Sequence, residues 1–144
     1  MLSAAHCLGV SNVVTLGMHK INLGTGEAAK FYNIEHIPIG KALVHPKYNK
    51  SNLDYDVLMI QLQWASKLYA GDAVPVDTLT DSLVLSSTSG ADLVVIGFGT
   101  LASGGAAPNV MQEVVIDYVS NAECIRQPYG YSSPQITPSM MCAG

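Results

Sequence analysis

Asp56-Val57-Leu58-Met59-Ile60-Gln61-Leu62-Gln63-Trp64 reads as a β-strand. Leu58, Ile60, Leu62 and Trp64 share one parity, and Gln61 and Gln63 take the other. That is the pattern of a strand with one face buried and one solvated. Its neighbours read alike. Val13-Val14-Thr15-Leu16 ends at Gly17. Phe31 to Ile39 alternates more loosely, with Phe31, Asn33, Glu35 and Ile37 on one parity and Tyr32, Ile34 and His36 on the other. Ala42-Leu43-Val44 stops at His45-Pro46, Leu93 to Phe98 runs out in glycines, and Met111 to Val119 is long and β-rich. Turn clusters separate these runs: Gly24-Thr25-Gly26, Asn49-Lys50-Ser51-Asn52, Ser86 to Gly90 and Ser103-Gly104-Gly105. Many short strands with regular turns indicate an all-β sandwich or barrel. Helix is scarce; Ser120-Asn121-Ala122-Glu123, with N-cap and capping-box character, predicts one or two turns. A polar, Pro-containing shift from Trp64 to Thr80 reads as a crossing between two β units.

Composition agrees. Hydrophobic residues make up 49% of the 144 and charged residues only 12%, with 13 Gly and 7 Pro, which suits a turn-rich β protein and excludes a disordered or coiled-coil chain. The net charge is −4 and the Lys and Arg are scattered, so nucleic acid is not an expected partner. Val57 to Ile60 and Leu93 to Ile96 are strand-sized, far short of a membrane-spanning helix, and no membrane partner is expected. The N-terminus lacks a basic region and His6, Ser11 and Asn12 interrupt its apolar character, so it does not read as a signal peptide.

Two residue types point to chemistry. His6 lies between small Ala4-Ala5 and Cys7, a setting that lets the backbone pack closely and fixes where an imidazole points. A histidine used as a general base needs such support, because proton transfer demands hydrogen-bond reach. Asp56 shares the inward parity of Leu58 and Ile60, where a carboxylate is costly unless hydrogen-bonded. An imidazole N–H would meet that need. Asp54 has the same parity, and alternation does not choose between the two acids. His6, His19, His36 and His45 contain no i, i+4 pair and no Cys-x-x-Cys accompanies them, so no metal and no cofactor is expected. Cys124 and Cys142 enclose a loop holding Pro128, Pro134 and Pro138, and a disulfide there is worth about 3 kcal/mol in the chain-entropy account. Cys7 is left over, either a buried free thiol or half of a disulfide whose partner precedes Met1, and the second is the expectation. Asn49-Lys50-Ser51 is an N-glycosylation acceptor pattern in an exposed loop, a weak signal by itself.

In order along the chain, these segments resemble the trypsin/chymotrypsin-like serine peptidase family. Ala4-Ala5-His6-Cys7 is similar to the family's catalytic-histidine segment, and Val13 to His19 to the strand and turn after it. Val44-His45-Pro46-Lys47-Tyr48-Asn49 is similar to the stretch ahead of the catalytic aspartate. Asp56-Val57-Leu58-Met59-Ile60-Gln61-Leu62 is similar to the aspartate strand, which selects Asp56 over Asp54. Gly97-Phe98-Gly99-Thr100 looks like Gly-Trp-Gly-Thr with Phe98 replacing tryptophan. Val119 to Cys124 and Ile136 to Gly144 resemble the intermediate helix region and the strand beyond.

The resemblance implies a chymotrypsin-like double antiparallel β-barrel, truncated at both ends, with residues 1–70 in an N-terminal barrel and 71–144 in a C-terminal one. It implies a secreted endopeptidase, a monomer when complete, that acts on protein or peptide substrates with His6 as base and Asp56 as its orienting acid. The Gly-Asp-Ser-Gly-Gly-Pro segment that carries the nucleophile is expected beyond Gly144, so the 144 residues alone are expected to be inactive. Ser103-Gly104-Gly105 is a decoy, because Leu101-Ala102 precede it where Gly-Asp should stand. The rival reading is a non-catalytic homologue that uses the same scaffold for binding or inhibition. A partial transcript with no independent fold is the third.

Overall fold

A computed structural model describes residues 1–21, 33–68, 90–126 and 130–144. Strands are β1 (Leu2–Ser3), β2 (Val13–Leu16), β3 (Glu35–Val44), β4 (Leu58–Leu62), β5 (Asp92–Gly97), β6 (Gln112–Val119) and β7 (Cys142–Ala143). One turn of 3-10 helix covers Ala5–Cys7, and the short helix α1 covers Asn121–Cys124. The chain divides into two compact units. One comprises Met1–Val74 with Phe98–Met111, the other Pro75–Gly97 with Gln112–Gly144.

The first unit holds a four-stranded antiparallel sheet in the order β1-β4-β3-β2. Its core follows the alternation of β4: Leu58 and Ile60 are buried, while Met59 and Gln61 are exposed. Ile37 of β3 is fully buried and His36 beside it is exposed, as the loose alternation there requires. Fully burying Leu58, Ile60 and Ile37 contributes about 1.5–3 kcal/mol each. Trp64 falls beyond the end of β4 and is exposed, so the inward face stops at Leu62.

In sequence Phe31 to Ile39 and Ala42 to Val44 read as separate runs, yet β3 joins them across Gly40. The register on β4 shifts between Ile39 and Lys41, a bulge centred on Gly40. A Cβ at Gly40 would lie 3.1 Å from the Cα of Gln63 and 3.2 Å from its nitrogen, so a larger residue would push that backbone back by a few tenths of an ångström. In the same unit the segment after β2 is tied to residues 109–111: Ile21 N–H donates to the Asn109 carbonyl and Met111 N–H to that of His19, both at 2.9 Å.

The second unit holds an antiparallel sheet in the order β5-β6-β7. Ser120 caps α1, its Oγ accepting from Glu123 N–H at 3.3 Å. Cys124 is buried and joined to Cys142 by a disulfide, which fastens the helix to β7. Val94, Val95, Ile96, Val114 and Val115 are exposed on the β5–β6 pair. Most of the Trp64–Thr80 crossing, the Gly24-Thr25-Gly26 turn, Phe31, Tyr32 and most of Ser86–Gly90 lie outside the described residues. Among those described, no helix is long and apolar enough to cross a membrane.

Candidate active site

Strand pairing brings His6 and Asp56 together from fifty positions apart. Leu2 pairs with Met59 and Ser3 with Leu58. The Met1 amino group donates to the Ile60 carbonyl and Ile60 N–H to that of Met1, both at 2.8 Å. Continuing this register past the end of β1 sets Ala5 opposite Asp56, with His6 next in line. Ala5 is 3% exposed. Its small side chain lets the 3-10 turn close against the sheet, with Cys7 N–H donating to the Ala4 carbonyl at 3.1 Å.

Asp56 precedes β4 by two residues, and a backbone bond from Val57 N–H to the Tyr55 carbonyl (2.7 Å) loops around it. An i to i+2 bond of this kind is a γ-turn, with Asp56 at its apex. Both carboxylate oxygens are used on one residue. Oδ1 accepts the backbone N–H of His6 at 2.8 Å, and Oδ2 lies 2.5 Å from His6 Nδ1. The carboxylate titrates below its ordinary value of 3.8, chiefly through the hydrogen bond from the imidazole. Partial burial opposes this, and the backbone N–H of His6 adds to it. An ionised carboxylate only accepts, so Nδ1 carries the hydrogen and the lone pair of the neutral ring lies on Nε2. The imidazole is 55% exposed and the Asp56 side chain 19%, so the acid is sheltered and the base accessible. A ring held this way is able to take a proton at Nε2 and stay fixed at Nδ1.

Asp54 does different work. Its carbonyl accepts from Asn49 N–H at 3.0 Å, its Oδ1 from Tyr55 N–H at 3.1 Å, and its own N–H donates to Asn52 Oδ1 at 3.2 Å. It closes the loop ahead of Asp56. Asn49 is exposed in that loop, its Oδ1 accepting from Ser51 N–H at 3.0 Å. Cys7 is a half-buried free thiol that lines an apolar cavity of about 410 Å³, with Leu2, Val13, Ile39, Leu58 and Ile60 among its walls. Ser103 sits in an exposed turn, with Gly104 at φ 71° and Gly105 N–H bonded to the Ala102 carbonyl. His36 Nδ1 lies 3.0 Å from Thr15 Oγ1, and His45 stacks on Tyr55.

Two neighbours of the pair gave no signal in the sequence. The Tyr48 hydroxyl is buried and has no hydrogen-bond partner among the described residues. Burial pushes its titration up, and the negative charge of Asp56 pushes the same way. Tyr55 is the second, marked by a backbone φ of 52° and by its stack on His45.

Comparison with known proteins puts a family to this geometry. The Trypsin family model matches residues 1–144. The chain is 32% identical over 146 residues to a trypsin of Xenopus laevis and 33% identical over 145 residues to the anionic trypsin of Bos taurus, covering all of this chain and 53% of each relative. It is 30% identical over 149 residues to the serine proteinase stubble of Drosophila melanogaster, covering 99% of this chain and 18% of that protein. A solved structure described as "Structure of GrC" superposes with a TM-score of 0.75 at 27% identity, covering 99% of this chain and 58% of that one. The chain spans about half the length of the curated trypsins it matches. With a nearly all-β antiparallel architecture, a chymotrypsin-like fold and a family match over its whole length, this chain belongs to the trypsin family of serine peptidases.

Proposed function

We propose that this chain carries the base and the orienting acid of a secreted serine endopeptidase, and that sequence beyond Gly144 supplies the nucleophile. The observation behind it is the two-pronged grip of Asp56 on His6, one oxygen on the backbone N–H and the other on Nδ1. In the complete enzyme the serine O–H loses its proton to His6 Nε2 as the oxygen attacks the peptide carbonyl. The resulting imidazolium returns that proton to the leaving amine when the carbon–nitrogen bond breaks. Water then repeats the cycle on the acyl-enzyme, and Asp56 holds the ring and stabilises its charge throughout. In this reading residues 1–70 belong to the N-terminal barrel and 71–144 to the C-terminal one, and the substrates are proteins or peptides.

The disulfide between Cys124 and Cys142 favours an oxidising, extracellular setting. In the complete protein Cys7 is bridged to a cysteine upstream of Met1, and Asn49 carries an N-linked glycan. The deciding experiment expresses the full-length protein and His6→Ala beside it and measures peptide hydrolysis together with labelling by a fluorophosphonate. The expected result is labelling at a serine beyond position 144 in the parent and loss of both signals in the variant. Labelling at a serine within residues 1–144, or full hydrolysis by His6→Ala, would overturn the proposal.

A further inference from the structure

The backbone that presents Asp56 is held in a conformation that bulky residues avoid. Leu53 has φ 58° and Tyr55 φ 52°, both in the left-handed region. Such backbone persists only where its surroundings over-determine it. At Tyr55 those surroundings are identifiable. Its ring stacks on the imidazole of His45, with centroids 4.8 Å apart and planes 5° from parallel. Lys47 Nζ lies 5.3 Å from the centroid of the same ring, at cation–π range.

His45 is fixed at both ends. Its backbone N–H donates to the Val57 carbonyl at 3.0 Å, and its Nδ1 accepts from Lys47 N–H at 3.2 Å. One residue thus grips both flanks of the acid: its main chain holds Val57, which follows Asp56, and its ring holds Tyr55, which precedes it. The γ-turn bond from Val57 N–H to the Tyr55 carbonyl then closes around Asp56. Rotating Tyr55 out of its strained state would swing the apex of that turn, and the carboxylate with it.

We propose that His45 and Tyr55 form a positioning clamp that sets the direction of the Asp56 carboxylate toward His6. Neither is a catalytic residue, since each acts only through Asp56. The inference rests on the reading of His6 and Asp56 as the base and its orienting acid.

The test uses the full-length enzyme, with rates normalised to the sites that react with a fluorophosphonate so that misfolded protein is not counted. Tyr55→Gly keeps the positive φ accessible but removes the ring, and His45→Ala removes the other half of the stack. Each is expected to lower kcat by about 10- to 100-fold, the scale of a small misplacement of a catalytic group, with KM within about twofold. Tyr55→Phe preserves the stack and is expected to restore kcat to within about twofold of the parent. The His6 Nδ1 proton, read by NMR, is expected to move upfield in Tyr55→Gly and His45→Ala and to stay put in Tyr55→Phe. Unchanged kcat and an unmoved proton signal in either ring-deleting variant would sink the clamp. Should Tyr55→Gly fail to fold, His45→Ala decides alone. Asp56→Asn run alongside separates the two ideas: if it is fully active, the assignment of base and acid fails, whereas if it is inactive and Tyr55→Gly is not, only the clamp fails.

Discussion

Replacing Asp56 with asparagine removes one negative charge and almost no volume, and the geometry around the carboxylate dictates the response. Oδ1 accepts a backbone N–H from His6 at 2.8 Å, a donor that has no alternative state. The amide oxygen of asparagine must take that place, which turns the amide NH2 toward Nδ1, 2.5 Å from the present Oδ2. Two donors repel, so the imidazole moves its hydrogen to Nε2 and accepts at Nδ1. The lone pair then faces the asparagine, and in the proposed mechanism no base is left for the serine. In a serine peptidase with a Ser-His-Asp triad the corresponding change lowers kcat by about 10⁴-fold. At 1.36 kcal/mol per tenfold that is about 5.5 kcal/mol of transition-state stabilisation. The expected outcome is a fall in kcat of that order in the full-length enzyme with little change in KM. The 15N shifts of His6 should report the hydrogen on Nε2 rather than Nδ1. An asparagine variant that keeps kcat within tenfold, or keeps its Nδ1–H, would refute the argument from tautomers.

Packing and hydrogen bonding set three further outcomes. Leu58→Ala empties a site 2% exposed in the first unit and is expected to cost about 2–5 kcal/mol, read as a lower denaturation midpoint. Cys124→Ser with Cys142→Ser opens a link across a sequence separation of 18 and is expected to cost about 3 kcal/mol, with the parent converging on the variant under reducing conditions. Glu35 titrates below its ordinary value of 4.5, chiefly because the Ser66 hydroxyl donates to it, with the Lys67 backbone N–H next. A depressed carboxylate stabilises the fold above its ordinary value and loses that contribution as pH falls through its folded one. Glu35→Gln should therefore be less stable than the parent near neutrality and equal to it in strong acid. A gap that widened on acidification would contradict the assignment.

The parts of the fold written in local pattern were legible. β4 shows its inward face in Leu58 and Ile60, and α1 announces its cap at Ser120, because each depends on residues a few positions apart. β3 was harder. Phe31 to Ile39 and Ala42 to Val44 read as two runs, and only the bulge between Ile39 and Lys41 shows how one strand spans both. Asp54 and Asp56 have equal parity, so alternation was silent between them; the likeness to a known family selected Asp56, and the γ-turn supplies the physical difference. The stack of Tyr55 on His45 was not legible at all. A tyrosine carries no mark that its φ will be positive, and the ring it stacks on belongs to a residue ten positions away.

The register of β1 on β4 also sets an order of assembly. His6 reaches its acid only through Leu2 and Ser3 lying against Met59 and Leu58, and β4 in turn lies on β3. Residues 2 and 3 leave the ribosome well before their partners, and β1 has no strand to lie against until residue 62 has followed it out. Contacts of such long span form slowly, because the intervening chain must first be closed into a loop. In the proposed reading the base is thus synthesised early and armed late: a nascent chain carries an idle imidazole until β4 has been made and β1 can pair with it.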